Sequence, residues 1–142
     1  MTAVRHTGIV VADLDSAVRF WSEGFGFSEE VRADESGPVI DAILGLDGVD
    51  VTTVKMVAPD GGRIELLRFG SHPSSRQWTG SETSTGPTHV ALTVSDLDAV
   101  CQRITELGAE VRPVQQSLDG RVRLTYCRGP EGLLLELVEE LA

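Results

Sequence analysis

The feature that most constrains this chain is that it is written twice. Arg5-His6-Thr7-Gly8-Ile9-Val10-Val11-Ala12-Asp13-Leu14-Asp15 and Thr88-His89-Val90-Ala91-Leu92-Thr93-Val94-Ser95-Asp96-Leu97-Asp98 share one pattern: a histidine, an apolar run, then Asp-Leu-Asp. A second pair matches independently. Pro59-Asp60-Gly61-Gly62-Arg63-Ile64-Glu65-Leu66 parallels Pro130-Glu131-Gly132-Leu133-Leu134-Leu135-Glu136-Leu137, and in both a proline precedes a glutamate by six positions. Matches in the same order imply two similar modules, residues 1–69 and 86–142, within a single domain spanning 1–142. The stretch between them, 70–85, is rich in Ser, Thr, Gly and Pro and reads as a connector.

Local signals agree within each module. Val4 to Val11 and His89 to Val94 are short apolar runs with β-branched residues, which predict strands. Helices are expected over Ser16 to Glu23 and Ala99 to Leu107, with Asp15 and Asp98 accepting from their free N–H groups and Leu14 and Leu97 acting as staples. Val18 and Trp21 share a face of the first; Val100, Cys101, Ile104 and Leu107 line the second, which Gly108 stops. Further strands are expected over Phe27 to Ala33, Asp50 to Val57 and Arg63 to Phe69. Their counterparts are Glu110 to Gln116, Arg121 to Arg128 and Leu133 to Glu139. Each module is thus βαβββ, an α+β class, with Pro38 to Leu46 an insertion that can hold a short helix and Gly61-Gly62 a hairpin turn.

Composition narrows the partners. A chain of 142 residues with 41% hydrophobic content can build a core. The formal charge of −10, with no Lys/Arg cluster, argues against nucleic acid and anionic membrane surfaces. No apolar run is long enough to span a bilayer and no signal segment opens the chain, so a cytoplasmic protein is expected. Cys101 and Cys127 lack metal-type spacing and read as free thiols.

Strand parity singles out four side chains. His6 lies on the side of Gly8 and Val10, opposite Thr7, Ile9 and Val11, and His89 lies with Ala91 and Thr93. Glu65 stands between Ile64 and Leu66, and Glu136 between Leu135 and Leu137, so both carboxylates point away from their strands' most apolar faces. Burying an ionised carboxylate without a partner costs several kcal/mol or neutralises it. Two of them at matching positions call for a shared cation. His6, Glu65, His89 and Glu136 form a mixed nitrogen and oxygen set that suits one divalent ion of zinc, nickel, cobalt, iron or manganese. His72 has no counterpart and reads as a surface histidine.

With these residues in hand, the chain resembles the vicinal oxygen chelate superfamily, which includes glyoxalase I, methylmalonyl-CoA epimerase, extradiol dioxygenases and the fosfomycin- and bleomycin-resistance proteins. The carriers are Arg5 to Val11, Phe20 to Phe27, Ile64-Glu65-Leu66, Thr88 to Ala91, and Tyr126 to Gly132 leading to Leu135-Glu136-Leu137. The resemblance implies two βαβββ modules forming a curled mixed sheet around a metal-containing cavity, often in a homodimer. Glyoxalase I and the epimerase look closest, since both use four ligands at these positions. The extradiol dioxygenases use two histidines and one carboxylate, and Glu65 sets this chain apart from them. Bleomycin-resistance proteins keep the fold without the ligands.

The implied chemistry is that of a metal-dependent lyase, isomerase or epimerase. A divalent cation stabilises the enediolate or enolate of a small carbonyl substrate, with Glu136 as base and Glu65 as the opposing base. Tyr126, ten residues before Glu136, takes a pocket-lining position of glyoxalase I, and the same count back from Glu65 reaches Lys55. Phe69 shares the parity of Glu65 and offers an apolar wall. Arg121, Arg123 and Arg128 are available for a CoA or glutathione group. The alternative from another class is a ligand-sequestering or antibiotic-resistance binder, with the connector bearing Trp78 closing over an aromatic cavity.

Overall fold

A computed structural model describes residues 1–73 and 82–142. The chain divides into two compact units, Met1–Ser75 and Arg76–Ala142. Trp78 lies outside the described residues.

The first unit runs β1 (Thr7–Val10), α1 (Leu14–Phe25), β2 (Ser28–Ser36), α2 (Pro38–Leu44), β3 (Asp50–Val57) and β4 (Arg63–Phe69). Its sheet has the order β1-β4-β3-β2, with β1 parallel to β4 and the other pairs antiparallel. The second unit runs β5 (Val90–Thr93), α3 (Leu97–Glu106), β6 (Glu110–Val111), β7 (Gln115–Gln116), β8 (Val122–Arg128) and β9 (Leu134–Glu140). Its order is β5-β9-β8-β6, with β7 also pairing β8. The repeat is real at the level of topology: a first strand inserted parallel beside the last, with a helix in the crossover. The short helix inside Pro38 to Leu46 is α2, and Asp41 fixes its exit by accepting from the N–H groups of Gly48 and Val49.

One face of each sheet packs against its helix. In the first unit Ala17, Phe20 and Trp21 of α1 are 2% exposed, and Val54, Met56, Ile64 and Leu66 of the sheet are buried. Trp21 meets Phe25 and Phe27 at ring centroid distances of 5.5 and 5.0 Å, and Phe20 at 6.1 Å. In the second, Leu97, Val100 and Ile104 of α3 and Leu134, Leu135, Leu137 and Cys127 of the sheet are buried. Both thiols are free, and burial pushes that of Cys127 up to about 12. Among the described residues no helix is long and apolar enough to cross a membrane.

Three local expectations are corrected. The helices begin earlier than expected, at Leu14 and Leu97, so their caps are Asp13 and Asp96, which accept from Ser16 N and Ala99 N at 3.0 Å each, and not Asp15 and Asp98. The cap must keep an extended backbone, and Asp13 and Asp96 have φ of −110° and −140°. The second Asp of each Asp-Leu-Asp sits inside the first turn, where its charge faces the helix dipole. The first helix continues past Glu23 to Phe25, ending at Gly26, whose φ of +74° lets its N–H reach Ser22 O without a Cβ penalty. The single strand expected over Glu110 to Gln116 is two short ones, because Pro113 has no N–H to donate to the ladder.

The cap assignment predicts that Asp13→Ala lowers stability by about 1 kcal/mol, and Asp15→Ala by no more than a few tenths. Urea denaturation of both variants checks it, and equal losses would return the cap to Asp15.

Candidate metal-binding half-sites

The cross-strand register sets out the same row in each unit. In the first, Gly8 of β1 lies opposite Glu65 of β4, which lies opposite Lys55 of β3, which lies opposite Val31 of β2. In the second, Ala91 of β5 lies opposite Glu136 of β9, which lies opposite Tyr126 of β8. Directly paired residues point to one face, and this is the face away from Leu66 and Leu137, the buried neighbours of the two glutamates. Gly8 is not required by its backbone. A Cβ there would meet Leu67 Cδ1 at 3.6 Å, an ordinary contact, and alanine stands at the equivalent position 91.

Each histidine stands immediately before its first strand and two residues from the residue facing the glutamate. That spacing turns the imidazole toward the carboxylate. His6 Nε2 lies 3.8 Å from Glu65 Oε1, and His89 Nε2 lies 3.1 Å from Glu136 Oε2. The carboxylate side chains are 16% and 21% exposed, dry enough to need a partner and open enough to admit one. Thus the structure brings together the two donors expected in each module. Among the described residues no three His, Cys, Asp or Glu side chains form a ready metal cage; the observed grouping is two and two.

The second pair has support that the sequence reading missed. Thr88 Oγ1 lies 2.7 Å from His89 Nδ1. When Nδ1–H donates to that hydroxyl, Nε2 keeps its lone pair for a cation; when the hydroxyl donates instead, Nε2–H faces Glu136. The signal was the hydroxyl residue just before His89, absent before His6, where Arg5 stands. Tyr126 joins the same group, its ring edge-on to His89 at 5.1 Å and its hydroxyl 3.5 Å from Nε2. Removal from water, then the Glu136 and Glu82 carboxylates, hold its phenol above the ordinary value, so it remains a donor.

The remaining candidates divide. Lys55 is level with Glu65 and half-buried. Phe69 shares the face of Glu65 but lies four residues further along β4, about 13 Å by strand rise and away from His6. Arg121 and Arg123 are engaged in ion pairs, with Asp119 and with Asp98 and Glu139 respectively, and Arg128 donates to Gly132 O. His72 is exposed, with Nδ1 2.8 Å from Ser71 Oγ.

A profile of the glyoxalase/bleomycin resistance protein/dioxygenase superfamily matches residues 5–126. The chain belongs to this superfamily. A crystal structure of a glyoxalase family protein from Bacillus cereus is 36% identical, with 100% of this chain and 96% of that one covered and a TM-score of 0.92. A 2-epi-5-epi-valiolone epimerase from Actinomyces sp is 27% identical over 96% of this chain and 78% of its own length. The fosfomycin resistance protein FosX of Listeria monocytogenes, complexed with Mn(II) and sulfate, shares the fold at a TM-score of 0.68 and 17% identity, covering 99% of this chain and 94% of that one. This chain thus has sequence similarity to an epimerase, and it shares its α+β fold with a fosfomycin resistance protein whose structure holds Mn(II).

Proposed function

We propose that His6, Glu65, His89 and Glu136 are ligands for a divalent metal ion, and that the chain is a metal-dependent lyase, isomerase or epimerase acting on a small carbonyl compound. The observation carrying this reading is the repeated pairing itself: an imidazole and a carboxylate face to face, at equivalent register positions, in both units. The donor chemistry fits. Neutral imidazole nitrogens and carboxylate oxygens are the ligands that borderline and hard divalent ions share.

A bound divalent cation would act as a Lewis acid, neutralising the charge left on two adjacent substrate oxygens when a proton leaves the neighbouring carbon. The chain's own groups do the rest. Glu136 takes that proton, held by its strand and by His89. Glu65 serves as the opposing base, so that a proton removed on one face can return on the other. The Thr88 hydroxyl keeps the imidazole of His89 from rotating. The Tyr126 phenol is a donor for a substrate oxygen.

Calorimetric titration with Mn2+, Zn2+, Ni2+, Co2+ and Fe2+ should reveal one strong site per pair of modules. In heavy water, the loaded protein should then place deuterium beside the carbonyl of a methylglyoxal–thiol adduct or a 2-methylmalonyl thioester. Protein that binds none of these metals removes the reading. Unchanged ligand affinity after replacing both Glu65 and Glu136 by Ala would favour a ligand-sequestering protein. Light scattering on the purified chain tests the homodimer that the resemblance implies.

A further inference from the structure

Lys55 is the only lysine in the 142 residues, against 11 arginines. Several of the described arginines stand at exposed positions in ion pairs with neighbouring carboxylates, as Arg19 with Glu23, Arg32 with Glu29, Arg63 with Glu30 and Arg112 with Glu82. The lysine is different in place and in company. It is half-buried in the middle of β3, directly across from Glu65 on one side and from Val31 on the other.

Its charge is not consumed locally. Glu65 turns to His6. Glu30, released from the ladder by the irregularity between Glu29 and Val31, is gripped by both Arg63 Nε and Nη2 at 3.0 and 3.2 Å and feels Lys55 only through space. Among the described residues no carboxylate lies within 4.0 Å of the Lys55 ammonium. An ammonium held on a half-buried strand position costs solvation, and a long flexible stem with one compact charge can reach a group lying over the row it belongs to. The chain's charge of −10 repels anions at long range, so capture of one needs a cation at the site itself.

We propose that Lys55 recognises an anionic group of the substrate, a carboxylate or a phosphate, set beside the oxygens that the Glu65 half-site addresses. This rests on the proposed metal-site reading and names its substrate class. The bland alternative is a stem packed on the sheet with its charge in solvent.

Three probes of related skeleton separate the two: neutral dihydroxyacetone, its phosphate, and hydroxypyruvate as the carboxylate. Affinities are measured calorimetrically for the wild type, Lys55→Met, which keeps the stem, and Lys55→Arg, which keeps the charge. The wild type should favour at least one anionic probe over dihydroxyacetone by about tenfold or more, the size of one charge-assisted hydrogen bond. Lys55→Met should bring that ratio near one, and Lys55→Arg should restore part of it. Which anion gains distinguishes phosphate from carboxylate recognition. A ratio unchanged in Lys55→Met, or no anion preference in the wild type, overturns the proposal. Metal titration of the same proteins is read separately. Failure to bind metal removes the parent reading, and the comparison is then repeated with inorganic phosphate in the presence of chelator, where equal affinity of wild type and Lys55→Met overturns the role of the lysine as well.

Discussion

Glu136→Gln should lower deuterium incorporation into the responsive substrate by about 10²–10⁴-fold, the range for losing a positioned general base. Glutamine preserves the length and the acceptor oxygen that faces His89 Nε2 at 3.1 Å, so β9 and its pairing with β5 and β8 should survive. What disappears is the charge and the basicity. The same substitution removes one anionic donor of the proposed metal set, so calorimetry on the variant should show weaker metal binding. Glu65→Gln gives the comparison: if the two carboxylates work on opposite faces, each variant should lose exchange of one prochiral or epimeric position more than the other. Full activity in Glu136→Gln would assign the proton transfer elsewhere.

Trp21→Ala should destabilise the protein by about 3–5 kcal/mol, lowering the melting temperature by about 10–17 °C. Trp21 is 2% exposed and fills the space between α1 and its sheet together with Phe20, Phe25 and Phe27. Its removal leaves a cavity that the rigid strands beneath cannot close. Chemical denaturation with near-ultraviolet circular dichroism reads the loss. A change below about 1 kcal/mol would mean that the aromatic cluster is not the core of the first unit.

Much of this architecture was legible in the residues alone because the relevant periodicities are local. Alternation along Arg63 to Phe69 separates Ile64 and Leu66 from Glu65 whatever the strand pairs with. The duplicated His-to-Asp-Leu-Asp pattern implied two like modules, and both sheets carry their first strand beside their last. Errors fell where two similar residues competed for one role. Asp13 and Asp15 are chemically identical, and only the backbone path into α1 decides which can cap. Pro113 carried the signal that β6 and β7 are separate, yet Glu110 to Gln116 reads as one continuous strand until the missing ladder donor is considered.

The sequence by itself determined the repeat, the element types and the apolar faces, and it set His6, Glu65, His89 and Glu136 apart from those faces, since each depends on neighbours within a few positions. Tertiary structure decided which of them meet. Parallel insertion of β1 beside β4 and of β5 beside β9 brings His6 to Glu65 and His89 to Glu136 across long stretches of chain. Antiparallel register sets Lys55 against Glu65 and Tyr126 against Glu136. Register is a property of paired strands, so a slip of one residue would have turned every one of these side chains to the other face.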